Sequence, residues 1–206
     1  MDYRERFRVR PGGKARLAEI DAGFKDKHES HEAAAEESAK YAARLRDLQN
    51  LLYAERRRSL LICLQAMDTG GKEGTINHVL ANMNPQGCRV AAFRQPSAEE
   101  ASHDFLWRAH RVAPARGEVA IFNRSQYEDV LVVRVHELVP KDVWSPRDER
   151  INEFEKGLVQ HGTTILKFYL HISADEQLED WHMSYPKPTV DLDHIRKEYH
   201  AAKHAE

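Results

Sequence analysis

Cysteine is scarce in this chain, with two in 206 residues. Cys63 sits inside an apolar run and Cys88 just before another, so both read as buried thiols, and a disulfide framework or a zinc site is excluded. Long hydrophobic runs are absent as well, and no stretch reaches the length of a membrane span. The opening Met1-Asp2-Tyr3-Arg4-Glu5-Arg6 leads into no apolar core of the kind a signal peptide needs. The expectation is a cytoplasmic protein with no membrane partner. A surplus of either charge is missing too. Lys and Arg number 31 against 33 Asp and Glu, a formal net charge of −2, which removes the global basic signature of a nucleic-acid binder. What is present is an apolar fraction of 41% and a charged fraction of 31%, the composition of a globular protein with charge-rich helices. At this length the chain reads as one domain, 1–206, able to bury most of the surface its unfolded form exposes.

One stretch organises the rest: Leu60-Leu61-Ile62-Cys63-Leu64-Gln65-Ala66-Met67-Asp68-Thr69-Gly70-Gly71-Lys72-Glu73-Gly74-Thr75. A short apolar run fit for a buried strand ends in a glycine-rich turn carrying a lysine, and a helix from Thr75 to Met83 is expected after it. Strand, turn, lysine and helix together form a phosphate cradle, in which backbone N–H groups and a helix N-terminus face an anion and Lys72 adds a charge. Gly70, Gly71 and Gly74 leave room for a close backbone approach, with Thr69 and Thr75 beside them. The match to G-x-x-x-x-G-K-[ST] is partial: Ala66 stands at the first glycine, and Glu73 at the Ser/Thr that holds magnesium. Asp68, inside the loop, offers a hard oxygen in place of that hydroxyl. Taken alone, the same residues also fit an ordinary strand-to-helix turn with a surface lysine.

Around this centre, residues 1–24 read as an irregular arm with Pro11-Gly12-Gly13, and 25–58, free of Pro and Gly, as a long helix. Leu45, Leu48, Leu52 and Tyr53 confine its apolar stripe to the second half. Arg89 to Phe93 is a second strand. Ser97 caps a helix with Glu99 and Glu100 in its first turn and Phe105, Leu106 and Trp107 further on. Gly117 to Phe122 is a third strand, followed by a helix over Gln126–Val135. Pro140 breaks the chain, and a helix over Pro146–Gln160 follows with Ile151, Phe154, Leu158 and Val159 on one face. Thr163 to Ile172 is a fourth strand. The α/β core is therefore 59–177, and strands alternating with helices imply a central parallel sheet with helices on both faces. Residues 181–188 read as loop, and 178–206 as a divergent polar tail. Its His200 and His204 stand four apart, but with only Glu198 as an acidic neighbour they make a weak metal site.

In open parallel sheets ligands bind beyond the C-terminal strand ends. Asp68 to Lys72 follow the first strand, Arg94 the second, Asn123-Arg124-Ser125 the third and His171-Ile172-Ser173 the fourth. Arg94, Arg124 and Lys72 at neighbouring ends point to phosphoryl transfer, because the planar guanidinium fork makes two bonds to phosphate at once. Glu128, one helical turn past Arg124, serves either that cleft or solvent.

At these residues the chain resembles the type-2 polyphosphate kinases, P-loop kinases with a three-layer fold. The matching pieces are residues 53–62 leading into 65-QAMDTGGKEGTI-76, then Phe93-Arg94-Gln95-Pro96, Asp104 to Arg108 with His110, 117-GEVAIFNRSQYEDVLVVRV-135 and 162-GTTILKFYLHIS-173. The block Asn123-Arg124-Ser125 with Tyr127-Glu128-Asp129 is the most specific, and it looks most like the subgroup phosphorylating both AMP and ADP. The resemblance implies reversible phosphoryl transfer between inorganic polyphosphate and adenine or guanine nucleotides, with Mg²⁺ or Mn²⁺, by a homodimer or homotetramer. It makes Asp68 the metal-linked loop aspartate, Lys72 the phosphate lysine and Arg124 the phosphate-gripping arginine. Asn123 takes a second metal-side position, and Glu128, Asp129 and Arg134 fall among the nucleotide-side and metal-side contacts.

Two departures accompany it. Ala66 replaces a glycine, and would strain the cradle by about 1 kcal/mol or more if that position needed a positive φ. After Gln177 the family's basic lid and last strand find no match, with Lys187, Arg196 and Lys197 as basic substitutes. Two other readings therefore stay open: an ATP-dependent small-molecule or nucleotide kinase on the same fold, and a weakened polyphosphate- or nucleotide-binding protein.

Overall fold

The structure is a computed structural model, and it describes residues 3–10, 12–24 and 30–184. The polar tail from 185 onward, with the residues invoked there, lies outside the described residues. The described chain falls into two compact units, one from residues 3–24 with 171–184 and the other from 30–170. The first opens with helix α1, Tyr3–Phe7, and a 3₁₀ turn, Leu17–Glu19, so the arm is not wholly irregular. There Phe7 packs edge-on against Phe24 at 5.9 Å.

The larger unit begins with α2, His31–Glu55. The Ser30 hydroxyl accepts the Ala33 N–H at its start, and Arg56 ends it in the left-handed region with φ 51°. Then come β1 (Ser59–Ala66), α3 (Lys72–Thr75) running into a π turn (Ile76–Leu80), and β2 (Cys88–Ala92). Two short helices, α4 (Ala98–Ala101) and α5 (Trp107–Val112), lead to β3 (Val119–Asn123). Helices α6 (Glu128–Val135), α7 (Lys141–Trp144) and α8 (Arg147–Gln160) precede β4 (Thr163–Leu170). Helix α9, Ala174–Ser184, belongs to the smaller unit.

The four strands form one sheet in the order β2-β3-β1-β4, parallel throughout, with Leu60 beside Val119 and Thr164. The apolar run of β1 is buried because it lies between β3 and β4 and is covered on both faces. On one face Leu61, Cys63 and Phe122 pack with Leu106, with Ala109 of α5 and with Ile151 and Phe154 of α8. On the other, Ile62, Leu64 and Ile121 pack with Met83, with Leu45 and Leu52 of α2, and with Ile76. Full burial of a side chain such as Phe122 contributes about 2–3 kcal/mol. The chain leaves β1 toward the α2 face and leaves β3 toward the α8 face. The C-terminal ends of β1 and β3 therefore flank the topological switch point, where the sheet opens a crevice. The three-layer P-loop kinase architecture is thus present.

Several expectations are corrected. The helix after the glycine turn starts at Lys72, not Thr75, and turns π at Ile76. The single helix expected from Ser97 through Trp107 is two, because Ser102 closes α4 after one turn and Asp104 restarts the chain by accepting the Leu106 N–H. Ser97 and Glu100 do form a capping box. Val159 is 55% exposed, while Ile151 and Phe154 carry the buried face of α8. Strand β4 stops at Leu170, before Ile172, and residues 181–184 are helical rather than loop. Cys63 is buried, whereas Cys88 starts an edge strand and is only half-buried.

Candidate active site

The cradle is built by the turn that follows β1. The Gly70 N–H donates to the Met67 carbonyl at 3.0 Å and the Gly71 N–H to Thr69 at 2.9 Å, so the chain doubles back within a few residues. Thr69 (φ 58°) and Gly71 (φ 74°) take left-handed conformations to do so. A Cβ on Gly70 would lie 2.7 Å from the Ala66 Cβ and 2.8 Å from the Met67 oxygen. Space demands glycine at 70, and backbone angle favours it at 71. A Cβ on Gly74 would meet nothing within 4 Å, so its glycine is not sterically required by the protein itself. Lys72 is 9% exposed, and its Nζ donates to the Ala66 carbonyl at 3.0 Å and the Met67 carbonyl at 2.8 Å. The turn thus anchors its lysine to the strand end. Thr75 Oγ1 donates back to Gly71 O at 3.0 Å, and Thr69 Oγ1 to Asp68 O at 2.7 Å. Both threonines brace the turn.

Across the switch point, Arg124 leaves β3 at φ 62°, its N–H held by the Leu64 carbonyl at 3.0 Å. Its guanidinium binds the Asp68 carboxylate from the β1 turn, and also Glu128 Oε2 at 3.3 Å. Asp68, Arg124 and Glu128 are thereby brought together. Ser125 is fully buried, and its Oγ accepts the Gln65 amide at 3.0 Å, a second tie between β1 and the β3 turn. Burial pushes the Glu128 carboxyl up from its ordinary value, opposed by the charge of Arg124, by hydrogen bonds from Gln65 and Arg124, and by the charge of Lys72. Asn123 ends β3, its carbonyl accepting the Phe93 N–H at 3.0 Å.

Other expected site residues are divided between roles. Arg94 is exposed past β2, and its carbonyl accepts from Arg108 at 2.7 Å. Arg108 is buried over the Phe93 ring, and its other amine meets Asp129 Oδ2 at 2.7 Å. Arg147 donates to the Asp129 carbonyl at 2.6 Å. Asp129 thus joins α6 to the end of β2 rather than facing the Arg124 side. Arg134, six residues beyond Glu128, lies about 9 Å farther along the helix and stacks over Trp144 at 5.3 Å. The geometry does not bring it to Lys72 and Arg124. The roles of Arg108, Arg147 and Gln65 escape sequence reasoning because their partners are remote in sequence, although Arg108 and Gln65 lie within the matched segments 104–108 and 65–76.

Residues 28–191 match the family model described as polyphosphate kinase 2 (PPK2). The chain belongs to the PPK2 family. It is 51% identical over 174 residues to the AMP/ADP-polyphosphate phosphotransferase of Meiothermus ruber, an alignment covering 84% of this chain and 65% of that protein. It is 46% identical over 189 residues to the ADP-polyphosphate phosphotransferase of Rhodopseudomonas palustris, covering 84% and 64%. The crystal structure of polyphosphate kinase 2 from Arthrobacter aurescens TC1 matches with TM-score 0.81 at 40% identity, over 96% of this chain and 71% of that one. The chain spans just under two thirds of the length of these two curated relatives.

Against the PPK2 pattern, Ala66 is not a strained substitution, since it is absent from the residues with positive φ and ends β1 in extended backbone. The chemistry available is electrostatic. Lys72, Arg124 and Arg94 stand at adjacent strand ends with Asp68 and Glu128 among them. The Cys63 thiol is unsuited to nucleophilic attack: burial pushes it up to about 12, with the Glu155 charge adding to the rise. Behind the turn, Glu155 accepts from Tyr127 Oη at 2.6 Å, Gln126 Nε2 at 3.1 Å and Lys167 Nζ at 2.7 Å. This buried knot pins the two residues that follow Ser125, and with them the start of α6.

Proposed function

We propose that the protein transfers the terminal phosphoryl group of inorganic polyphosphate to ADP, AMP or both, reversibly. The observation that carries this reading is the ion pair of Arg124, from the turn after β3, with Asp68, from the glycine turn after β1 that also anchors Lys72, at the switch point of a PPK2 sheet. Relatives named for AMP/ADP- and ADP-polyphosphate phosphotransfer support the substrate pair.

Phosphoryl transfer needs alignment and positive charge where the transferred oxygens gather charge, and little covalent help. In the proposed mechanism Lys72 supplies a fixed charge under the turn, and Arg124 supplies the bidentate fork. Arg124 is neutralised by Asp68 and Glu128. An entering phosphate competes for the guanidinium, and the same exchange frees Asp68 as an oxygen donor. Glu128 holds Arg124 from the other side and keeps the fork aimed at the crevice.

Among the described residues no group of three or more His, Cys, Asp or Glu is placed to hold a metal. A single loop carboxylate, Asp68, suits Mg²⁺ or Mn²⁺ with phosphate and water oxygens completing the shell, an arrangement that needs no all-protein cage. Asp68 would hold it, with the Asn123 amide as a second oxygen, and the ion would neutralise charge on the phosphate chain. The reading includes a homodimer or homotetramer working in the cytoplasm, and light scattering of the purified protein measures the assembly.

The decisive experiment measures ATP formation from ADP, and ADP formation from AMP, with long-chain polyphosphate and Mg²⁺. Wild type should turn over, while Lys72→Ala and Asp68→Asn should each lose about a hundredfold or more. Phosphorylation from ATP with none from polyphosphate would replace the donor assignment. Folded wild type inert with every donor would leave a binding protein.

A further inference from the structure

We propose that the pole of the larger unit opposite the cradle is a second anion site, an arginine rim that holds the body of a long polyphosphate chain while its end reacts. This rests on the polyphosphate reading above.

The rim is assembled from turns at the N-terminal ends of the strands. Arg56, Arg57 and Arg58 join α2 to β1, and Arg116 lies just before β3. These segments are locked side by side. The Gly117 N–H donates to the Arg58 carbonyl at 2.7 Å, and a Cβ on Gly117 would stand 3.2 Å from Arg56 Cγ. The Ser59 N–H donates to Gly162 at 3.2 Å, bringing the turn before β4 alongside. All four arginines are exposed.

Local acids do not balance them. Glu118 is occupied by Arg89 at 2.9 Å and by the Ala115 N–H at 3.1 Å. Glu55 reaches only Arg58, at 4.0 Å. Among the described residues no carboxylate is paired with Arg56, Arg57 or Arg116. The C-terminal end of α2 carries about half a negative charge, which one arginine more than offsets. Crowded like charges raise the energy of the folded state, and a polyanion relieves them. Guanidinium forks suit phosphate oxygens. Tyr53 is half-buried beneath Arg56 at 5.5 Å, so among the described residues the rim offers no exposed ring for stacking bases, which favours polyphosphate over RNA.

The eight residues of β1 separate this pole from the cradle by about 26 Å at roughly 3.3 Å per residue. A nucleotide cannot bridge that gap; a long polymer can. Holding the polymer at two points raises its local concentration at the cradle, so long chains gain over short ones.

The test compares wild type with the variant carrying Arg56→Gln, Arg57→Gln, Arg58→Gln and Arg116→Gln, with folding checked by urea unfolding. Binding of long-chain polyphosphate is measured by competition with a fluorescent polyphosphate, and turnover is measured with long-chain donor and with a short oligophosphate. Apparent affinity for long chains should fall about tenfold in the variant, with a weaker salt dependence, while the nucleotide KM and kcat at saturating donor hold. Unchanged long-chain affinity in a folded variant, with wild-type turnover intact, overturns the rim and leaves the activity standing. Wild type that neither binds nor uses polyphosphate overturns both. Tighter binding of a structured RNA, lost in the same variant, overturns the ligand assigned here. Should the fourfold variant fail to fold, the pair Arg57→Gln and Arg116→Gln reads the same loss at smaller amplitude.

Discussion

Gly70→Ala tests the cradle through a single methyl group. The added Cβ would sit 2.7 Å from the Ala66 Cβ and 2.8 Å from the Met67 carbonyl oxygen, both inside the 3.0 Å that real Cβ atoms essentially never cross. One obstacle is backbone, so the strain cannot be relieved by rotating a side chain. Overpacking of this kind costs about 1–3 kcal/mol, and two simultaneous contacts place the expectation in the upper half. The loss reaches function because Lys72 hangs from the carbonyls of Ala66 and Met67, the two residues pushed aside. Ala66→Gly removes the first contact and leaves the second. In that background the penalty for Gly70→Ala should shrink by at least about 0.5 kcal/mol, the coupling expected of residues in contact. Urea midpoints of the four proteins in the cycle read the energies, and polyphosphate-dependent turnover reads the lysine. Additive midpoints, or a Gly70→Ala protein as stable and active as wild type, would refute the reasoning.

Three further outcomes follow from the buried charges. Arg108→Met leaves Asp129 without its partner, with side chains only 8% and 12% exposed in the pair, and should cost about 3–5 kcal/mol in urea unfolding. Asp129→Asn should also lose stability; loss of turnover at wild-type stability would instead make Asp129 a substrate or metal contact. Glu128→Gln tests the raised carboxyl. A folded pKa above the ordinary 4.5 means that the stability this group contributes is complete below 4.5 and is lost as pH rises through the raised value. Wild type should therefore lose stability relative to the Gln variant across that window, and a pH-independent difference would refute the assignment.

The strand-turn-lysine of β1 was legible because all its parts are local. Burial of β1 follows from an unbroken apolar run, and the turn from adjacent glycines. The four strands followed for the same reason. Side-chain roles were less legible. Glu128 and Asp129 are neighbouring acids on one helix, yet Glu128 meets Arg124 four residues away and Asp129 meets Arg108, 21 residues upstream. Sequence spacing shows the first pair and is silent on the second. Lys167 lies among apolar residues in β4, and its partner Glu155 is on the helix before it. The break between α4 and α5 turns on Asp104 accepting a backbone N–H two residues on, a local competition that helical periodicity does not register.

Ala66 shows how one departure is read through another. Taken singly, an alanine at the family's first glycine suggests a strained or weakened loop. Its backbone is unstrained, and its methyl group occupies the space that a side chain at position 70 would need. The turn has room for one methyl group between the two positions, and Ala66 supplies it. With Ala66 unstrained, the lysine stays anchored to both flanking carbonyls. Ala66 by itself therefore gives no support to a non-catalytic reading.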